Sequence, residues 1–295
     1  MTGGRPAVTT LGRAGFPPLD EIRGPAFATS RGAGGLTAIG GWLSAAASTS
    51  WLPMNGHGWF PVPCYLLRSG SKAVLIDTGL AIHHDAVRSG LSGTLAPGAT
   101  LDVLLTRREP DMLMNLPWIV RSYGVASVRC SGPVDPFDYV EKLEEAMTAE
   151  QMRAIVGVPV EFLAPSGTVE LGAFSFELIR PAIRVLATDW LYERTTRTLF
   201  SSDMWAFVSA PAPHDVVCPV PDERIDVERI LNHLRAKFDW LEGIDTAPIS
   251  SKLTESVAGR DIERICPSYG CVIEGREAVE TLFSNTIEAL ARLKS

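Results

Sequence analysis

Hydrophobic positions run through this chain mostly in short unbroken stretches, and the polar positions between them are turn formers. From Arg31 to Arg68 no Asp, Glu, Lys or Arg occurs. Gly34-Gly35, Gly40-Gly41, Pro53, Asn55, Gly56, Pro61 and Pro63 break that run, so it reads as interior strands and loops and not as a membrane helix. Residues 62–67 and 72–77 predict a hairpin, with Ser69-Gly70-Ser71 as its turn. Further strands are predicted at 101–105, 125–130, 168–171, 174–179 and 197–200. Helical spacing begins at Leu113, Leu116, Ile119 and Val120, with Pro117 as a kink or break. A charged amphipathic helix is predicted over 136–152. Another, near 225–241, sets Val227, Ile230, Leu231, Leu234, Phe238 and Leu241 on one face and His233 off it. A last helix carries Val279, Leu282, Phe283, Leu290 and Leu293. Strands with a few helices, followed by strands with helices again, suit two sheets covered by helices in one α/β domain. The Gly-, Pro- and Thr-rich residues 1–28 read as an arm, and residues 29–295 as the single domain.

Composition narrows the function classes. The chain has 295 residues, 46% hydrophobic and 21% charged, as in ordinary globular proteins. A net charge of −7 argues against a nucleic-acid partner, which needs a basic face, and no polybasic membrane patch is present. Five irregularly spaced cysteines suit reduced thiols and a cytoplasmic location. Cys266 and Cys271 read as partly buried thiols in preference to zinc ligands. The start of the chain holds Arg5, Arg13, Asp20, Glu21 and Arg23 without an apolar segment, so no signal peptide is expected. Neither a phosphate-binding Walker loop nor a nucleophile-elbow serine is present.

The chemistry-bearing segment is Thr106-Arg107-Arg108-Glu109-Pro110-Asp111-Met112, directly after the strand at 101–105. Three other segments accompany it in order. Val74-Leu75-Ile76-Asp77-Thr78-Gly79 precedes it; Leu199-Phe200-Ser201-Ser202-Asp203 and Cys266-Pro267-Ser268-Tyr269-Gly270 follow. Together they resemble the metallo-β-lactamase superfamily, and within it the diiron domain of flavodiiron and related oxygen-binding diiron proteins. The resemblance spans about residues 36–285 and implies an αββα sandwich. It places Asp77 behind the metal loop as a backbone support. It implies no FMN, because there is no room for a flavodoxin domain, and it is compatible with pairing as a homodimer.

The family holds two irons with four histidines, a glutamate and two aspartates. Here Glu109, Asp111 and Asp203 match the carboxylates, while Arg107, Met112, Arg184 and Tyr269 stand at the histidine positions. Imidazole suits iron and zinc; a guanidinium stays protonated and offers no lone pair. No cofactor and no dinuclear metal centre is therefore expected. Clustered carboxylates need positive charge nearby, and Arg107 and Arg184 can supply it. Three uses of the pocket stay open. The first is a metal-independent site for a small polar or anionic molecule, with Glu109, Asp111 or Asp203 as general base, Tyr269 as proton donor, and Arg107, Arg184 and His57 as binding residues. The second is a non-catalytic relic filled by ion pairs, acting as a structural or interaction subunit. The third is a single Mn, Mg or Fe on the carboxylates. His83-His84-Asp85 reads as a surface helix start, His214 and His233 as structural, and Met112 and Met114 as core fillers. Trp59, Trp190 and Trp205 read as packing residues.

Overall fold

A computed structural model describes residues 19–31, 35–45, 57–132, 135–137, 157–218 and 223–293. Two seven-stranded sheets form its centre. The first contains β1 (Arg23–Arg31), β2 (Leu36–Ser44), β3 (Trp59–Ser69), β4 (Lys72–Ile76), β5 (Thr100–Leu104), β6 (Val125–Ser131) and β7 (Val160–Leu163), in that spatial order. Strands β1 to β4 are antiparallel neighbours, and β4 to β7 are parallel. The second contains β8 (Gly167–Leu171), β9 (Phe174–Ile179), β10 (Trp190–Glu193), β11 (Thr198–Ser202), β12 (Val217–Cys218), β13 (Arg264–Pro267) and β14 (Val272–Glu274). Its order is β12-β14-β13-β11-β10-β9-β8, with β11 and β13 parallel.

The unbroken apolar runs follow from burial on both faces. In β3, Cys64 and Leu66 point outward from the sandwich, toward Val87 and Leu91 of α2 (His84–Thr94) and Ile119 of α4 (Leu116–Ser122). Their neighbours Tyr65 and Leu67 point inward, to a core shared with Phe176, Trp190 and Phe200 of the second sheet. The same alternation separates Ala73 and Leu75 from Val74 and Ile76 in β4. On the far side of the second sheet, α5 (Val227–Lys237), α6 (Ala247–Val257) and α7 (Arg276–Arg292) bury Ile230, Leu234, Leu253, Leu282 and Leu290. The architecture is the αββα sandwich expected from the sequence.

Several elements differ from expectation in detail. Part of the arm is structured: Leu19–Ile22 forms α1, and β1 pairs with β2 from Arg23 onward. After β5, the helix breaks into α3 (Pro110–Leu113) and α4, with Pro117 at the start of α4, where its missing N–H costs no helical bond. The helix expected over 136–152 lies almost wholly outside the described residues. Met114 is exposed, whereas Met112 is fully buried. His83 is not a surface residue; it is buried and hydrogen-bonded to the Trp42 carbonyl at 3.2 Å. His233 is likewise buried, between the rings of Phe207 and Phe238 at 5.1 and 5.6 Å. All five cysteines are buried thiols outside any disulfide. Cys64 donates to the Ile39 carbonyl, and burial pushes its thiol up to about 12, so it is no nucleophile at neutral pH.

Candidate functional site

Parallel strands put their carboxyl ends on the same side, and the four motifs are at such ends. Asp77 follows β4, Thr106 to Glu109 follow β5, Asp203 follows β11, and Ser268 and Tyr269 follow β13. Local backbone geometry sharpens their aim. Asp77, Ser202 and Trp205 hold left-handed φ values of 56°, 54° and 61°, and the β11/β13 register shifts between Phe200 and Ser202. Such bulges and rare conformations turn side chains out of a sheet plane, and they concentrate at functional sites.

A polar frame joins these ends across the two sheets. Asp77 Oδ1 accepts from the Thr106 backbone N–H at 2.8 Å, and Asp77 Oδ2 from Thr106 Oγ1 at 2.8 Å. Ser268 Oγ donates to the same Oδ2 at 3.3 Å, and Thr106 Oγ1 lies 3.1 Å from Ser202 Oγ. Asp77 thus supports the loop from behind, as the resemblance implied. Thr78 and Asn115 fix the loop from the other side. Thr78 N and Oγ1 donate to the Met112 carbonyl at 2.8 and 2.7 Å, and Asn115 Nδ2 donates to the carbonyls of Thr78, Gly79 and Leu80.

Inside this frame lies an ion-pair cluster. Arg107, its side chain only 4% exposed, places Nε 2.8 Å from Glu109 and Nη1 3.4 Å from Asp203. Its Nη1 also donates to Ser202 Oγ at 3.2 Å. Lys237, at the end of α5, places its ammonium 3.5 Å from the same Asp203 oxygen. The buried Tyr269 ring has the Arg107 guanidinium carbon 6.0 Å and the Lys237 nitrogen 5.6 Å from its centroid, both at cation–π range. Among the described contacts, Glu109 and Asp203 each face a cation, and Asp203 faces two.

Tyr269 is held in place by the residue after it. Gly270 has φ +86°, donates its N–H to the Pro61 carbonyl at 2.8 Å, and would bring a Cβ to 3.0 Å from the Ala206 carbonyl carbon. Gly270→Ala is expected to destabilise the protein by about 1–3 kcal/mol. The midpoint of urea unfolding measures this, and an unchanged midpoint would show that the Tyr269 turn is not constrained in this way.

Of the residues singled out from the sequence, the structure gathers Arg107, Glu109, Asp203 and Tyr269. Asp111 lies in α3, and its side chain is outside the described part. His57 is exposed just before β3, with no hydrogen bond or ion pair to the cluster among the described residues. Arg184 makes no ion pair with Glu109 or Asp203; it lines a separate groove with Arg180, Trp240 and Lys252. The second cation of the cluster is Lys237, which sequence reasoning missed. Its spacing, three residues after Leu234 and seven after Ile230, gives its face of α5 but not the neighbour that face meets.

Neither family models nor curated proteins match the chain. Solved structures do. Rubredoxin oxygen:oxidoreductase from Desulfovibrio gigas aligns at TM-score 0.60 and 16% identity, over 90% of this chain and 62% of that one. A metal-soaked flavodiiron core from Synechocystis gives 0.64 and 17%, over 92% and 62%. A chemotaxis sensor, solved as a peroxy diiron species, gives 0.54 and 14%, over 88% and 94%. The chain has the flavodiiron diiron-domain fold. It spans about three fifths of the length of the first two proteins. At these identities the likeness carries the fold, and the chemistry must be read from the residues.

Those residues do not fit an iron or zinc pair. Among the described residues, no three His, Cys, Asp or Glu side chains come together as a metal-binding group. Two protonated side chains contact the carboxylates that would have to bind metal, and both would repel a dication.

Proposed function

We propose that the pocket at the strand ends works without a resident metal and binds or transforms a small polar or anionic molecule. The observation that carries this reading is the contact of Arg107 and Lys237 with Asp203, inside a fold whose relatives are named for two irons. The two side chains supply fixed positive charge where the carboxylates need it. Both are multidentate donors: a guanidinium has five N–H groups and an ammonium three. An anion arriving at the cluster would exchange with a carboxylate for these donors, as Arg forks do with carboxylates and phosphates. Glu109 is the more accessible carboxylate, with 26% side-chain exposure against 8% for Asp203, and takes the role of general base. Tyr269 is the hydrogen-bond or proton donor. Asp111 and His57 complete the proposed set from flanking positions, and Arg184, which lines a separate groove, is not part of it.

A second reading rests on the same distances. Glu109 and Asp203 already have cationic partners, so the cluster can be a relic held by ion pairs in a protein that acts through its surface. Assembly as a homodimer and a cytoplasmic location are part of both proposals. Among the described residues, no helix is long and apolar enough to cross a membrane.

Elemental analysis after reconstitution with Fe, Zn and Mn should find no stoichiometric metal; about two tightly held equivalents would overturn the metal-free reading. A thermal-shift screen with acetate, succinate and phosphate separates the two readings. Stabilisation of the wild type that disappears in Lys237→Met supports a binding site, and no stabilisation by any of the three favours the relic.

A further inference from the structure

Away from the ion-pair cluster, a groove of about 350 Å³ opens between the loop after β9 and the start of α6. Arg180 and Arg184 come from the loop, Trp240 from the 3-10 turn Asp239–Leu241, and Lys252 from α6. The volume falls within the usual range for small-ligand sites.

Its charge is uncompensated. Arg180 is paired, with Asp189 at 3.3 Å. Arg184 and Lys252 form no ion pair among the described residues, and neither Asp nor Glu lines the groove. The buried Nη1 of Arg184 has no hydrogen-bond partner among the described residues. Two free positive charges therefore face one concavity in a chain whose net charge is −7. Burying that nitrogen of Arg184 without an acceptor is unfavourable, and it leaves the guanidinium charge uncompensated beside the groove. Beside the cations stands Trp240, 39% exposed although an indole of that size is ordinarily covered.

We propose that this groove binds a phosphate monoester carried on a planar ring, as in a nucleoside monophosphate. The free charge of two matches the dianion. Arg184 can present a two-pronged fork to the phosphate oxygens, and Lys252 a point charge. The exposed indole offers a face on which a ring stacks. The site shares no residue with the Arg107–Lys237 cluster and does not depend on the function proposed for that cluster.

Isothermal titration of the full chain with adenosine 5′-monophosphate, adenosine and inorganic phosphate, at low salt, tests the idea. The monophosphate should bind at least about tenfold more tightly than either fragment. Arg184→Gln and Lys252→Gln should each weaken it about fivefold or more, and Trp240→Ala should weaken the monophosphate while leaving inorganic phosphate unchanged. Three results would overturn the proposal. One is no heat from the monophosphate up to millimolar concentration. Another is equal affinity for inorganic phosphate and the monophosphate. The last is binding that survives Arg184→Gln but is lost in Lys237→Met, which would assign the ligand to the central cluster.

Discussion

Arg107→Ala should destabilise the protein by about 3–5 kcal/mol, the usual penalty for removing one partner of a buried ion pair. Arg107 is the common partner of Glu109 and Asp203, and its loss takes a cation from each of them, with Lys237 still at Asp203. Ser202 Oγ loses a donor in the same step. Equilibrium unfolding in urea reads the change as a lower midpoint. The companion variant Arg107→Met with Asp203→Asn should cost less than the sum of the two single changes, because the second relieves the charge that the first exposes. A single variant within about 0.5 kcal/mol of wild type would mean that the cluster is too well hydrated to need Arg107.

Stability should fall steeply as the pH drops below the ordinary histidine range, and two buried rings should cause much of the fall. Burial lowers His83 to about 4 and His233 to about 3. For His83 the Trp42 carbonyl opposes the shift and Arg23 adds to it; for His233 Asp203 opposes it and Lys237 adds to it. The geometry agrees. His83 spends its Nε2 proton on the Trp42 carbonyl and has a buried Nδ1 with no partner, so a second proton would have no acceptor. Both folded-state values lie below the unfolded one, so the unfolded chain binds more protons throughout the interval between them. The neutral rings therefore contribute their full stability above about pH 6.5, and lose it as the pH falls toward 4 and 3, by roughly 1 kcal/mol per pH unit for each ring. Urea midpoints at several pH values should show that slope, and His83→Asn with His233→Phe should flatten it. Parallel profiles for variant and wild type would assign acid sensitivity to carboxylates instead.

The residues that could be read from the sequence and those that could not differ in how they reach the site. Asp77, Arg107, Glu109, Asp203 and Tyr269 sit within a few residues of a strand end, and a strand buried on both faces announces itself as an apolar run. The strand fixes the side chain, so the linear motif already contains the placement. Lys237 arrives from a helix on the outer face of the second sheet, and only the packing of α5 brings it beside Asp203. Arg184 was assigned by alignment to a lost histidine, yet the loop after β9 carries it to another groove. The burial of His83 and His233 is hidden in the sequence because a histidine in a helical pattern looks polar, whereas a neutral ring such as that of His233, structural as read, packs like an aromatic one. The short, fully buried β10 and the Ser- and Thr-rich α6 gave no periodic signal long enough to recognise.

The hydrogen bonds of Asp77, Thr106, Ser202 and Ser268 fasten the two sheets at the rim without using any group that would hold an iron. Frame and occupant are thus separable. A lineage could exchange histidine for arginine, methionine or tyrosine at the centre while the strand ends kept their spacing, so that loss of one chemistry need not precede or follow loss of the fold. By the same reasoning, the centre is a natural starting point for grafting new ligands, because the walls around it stand on other residues.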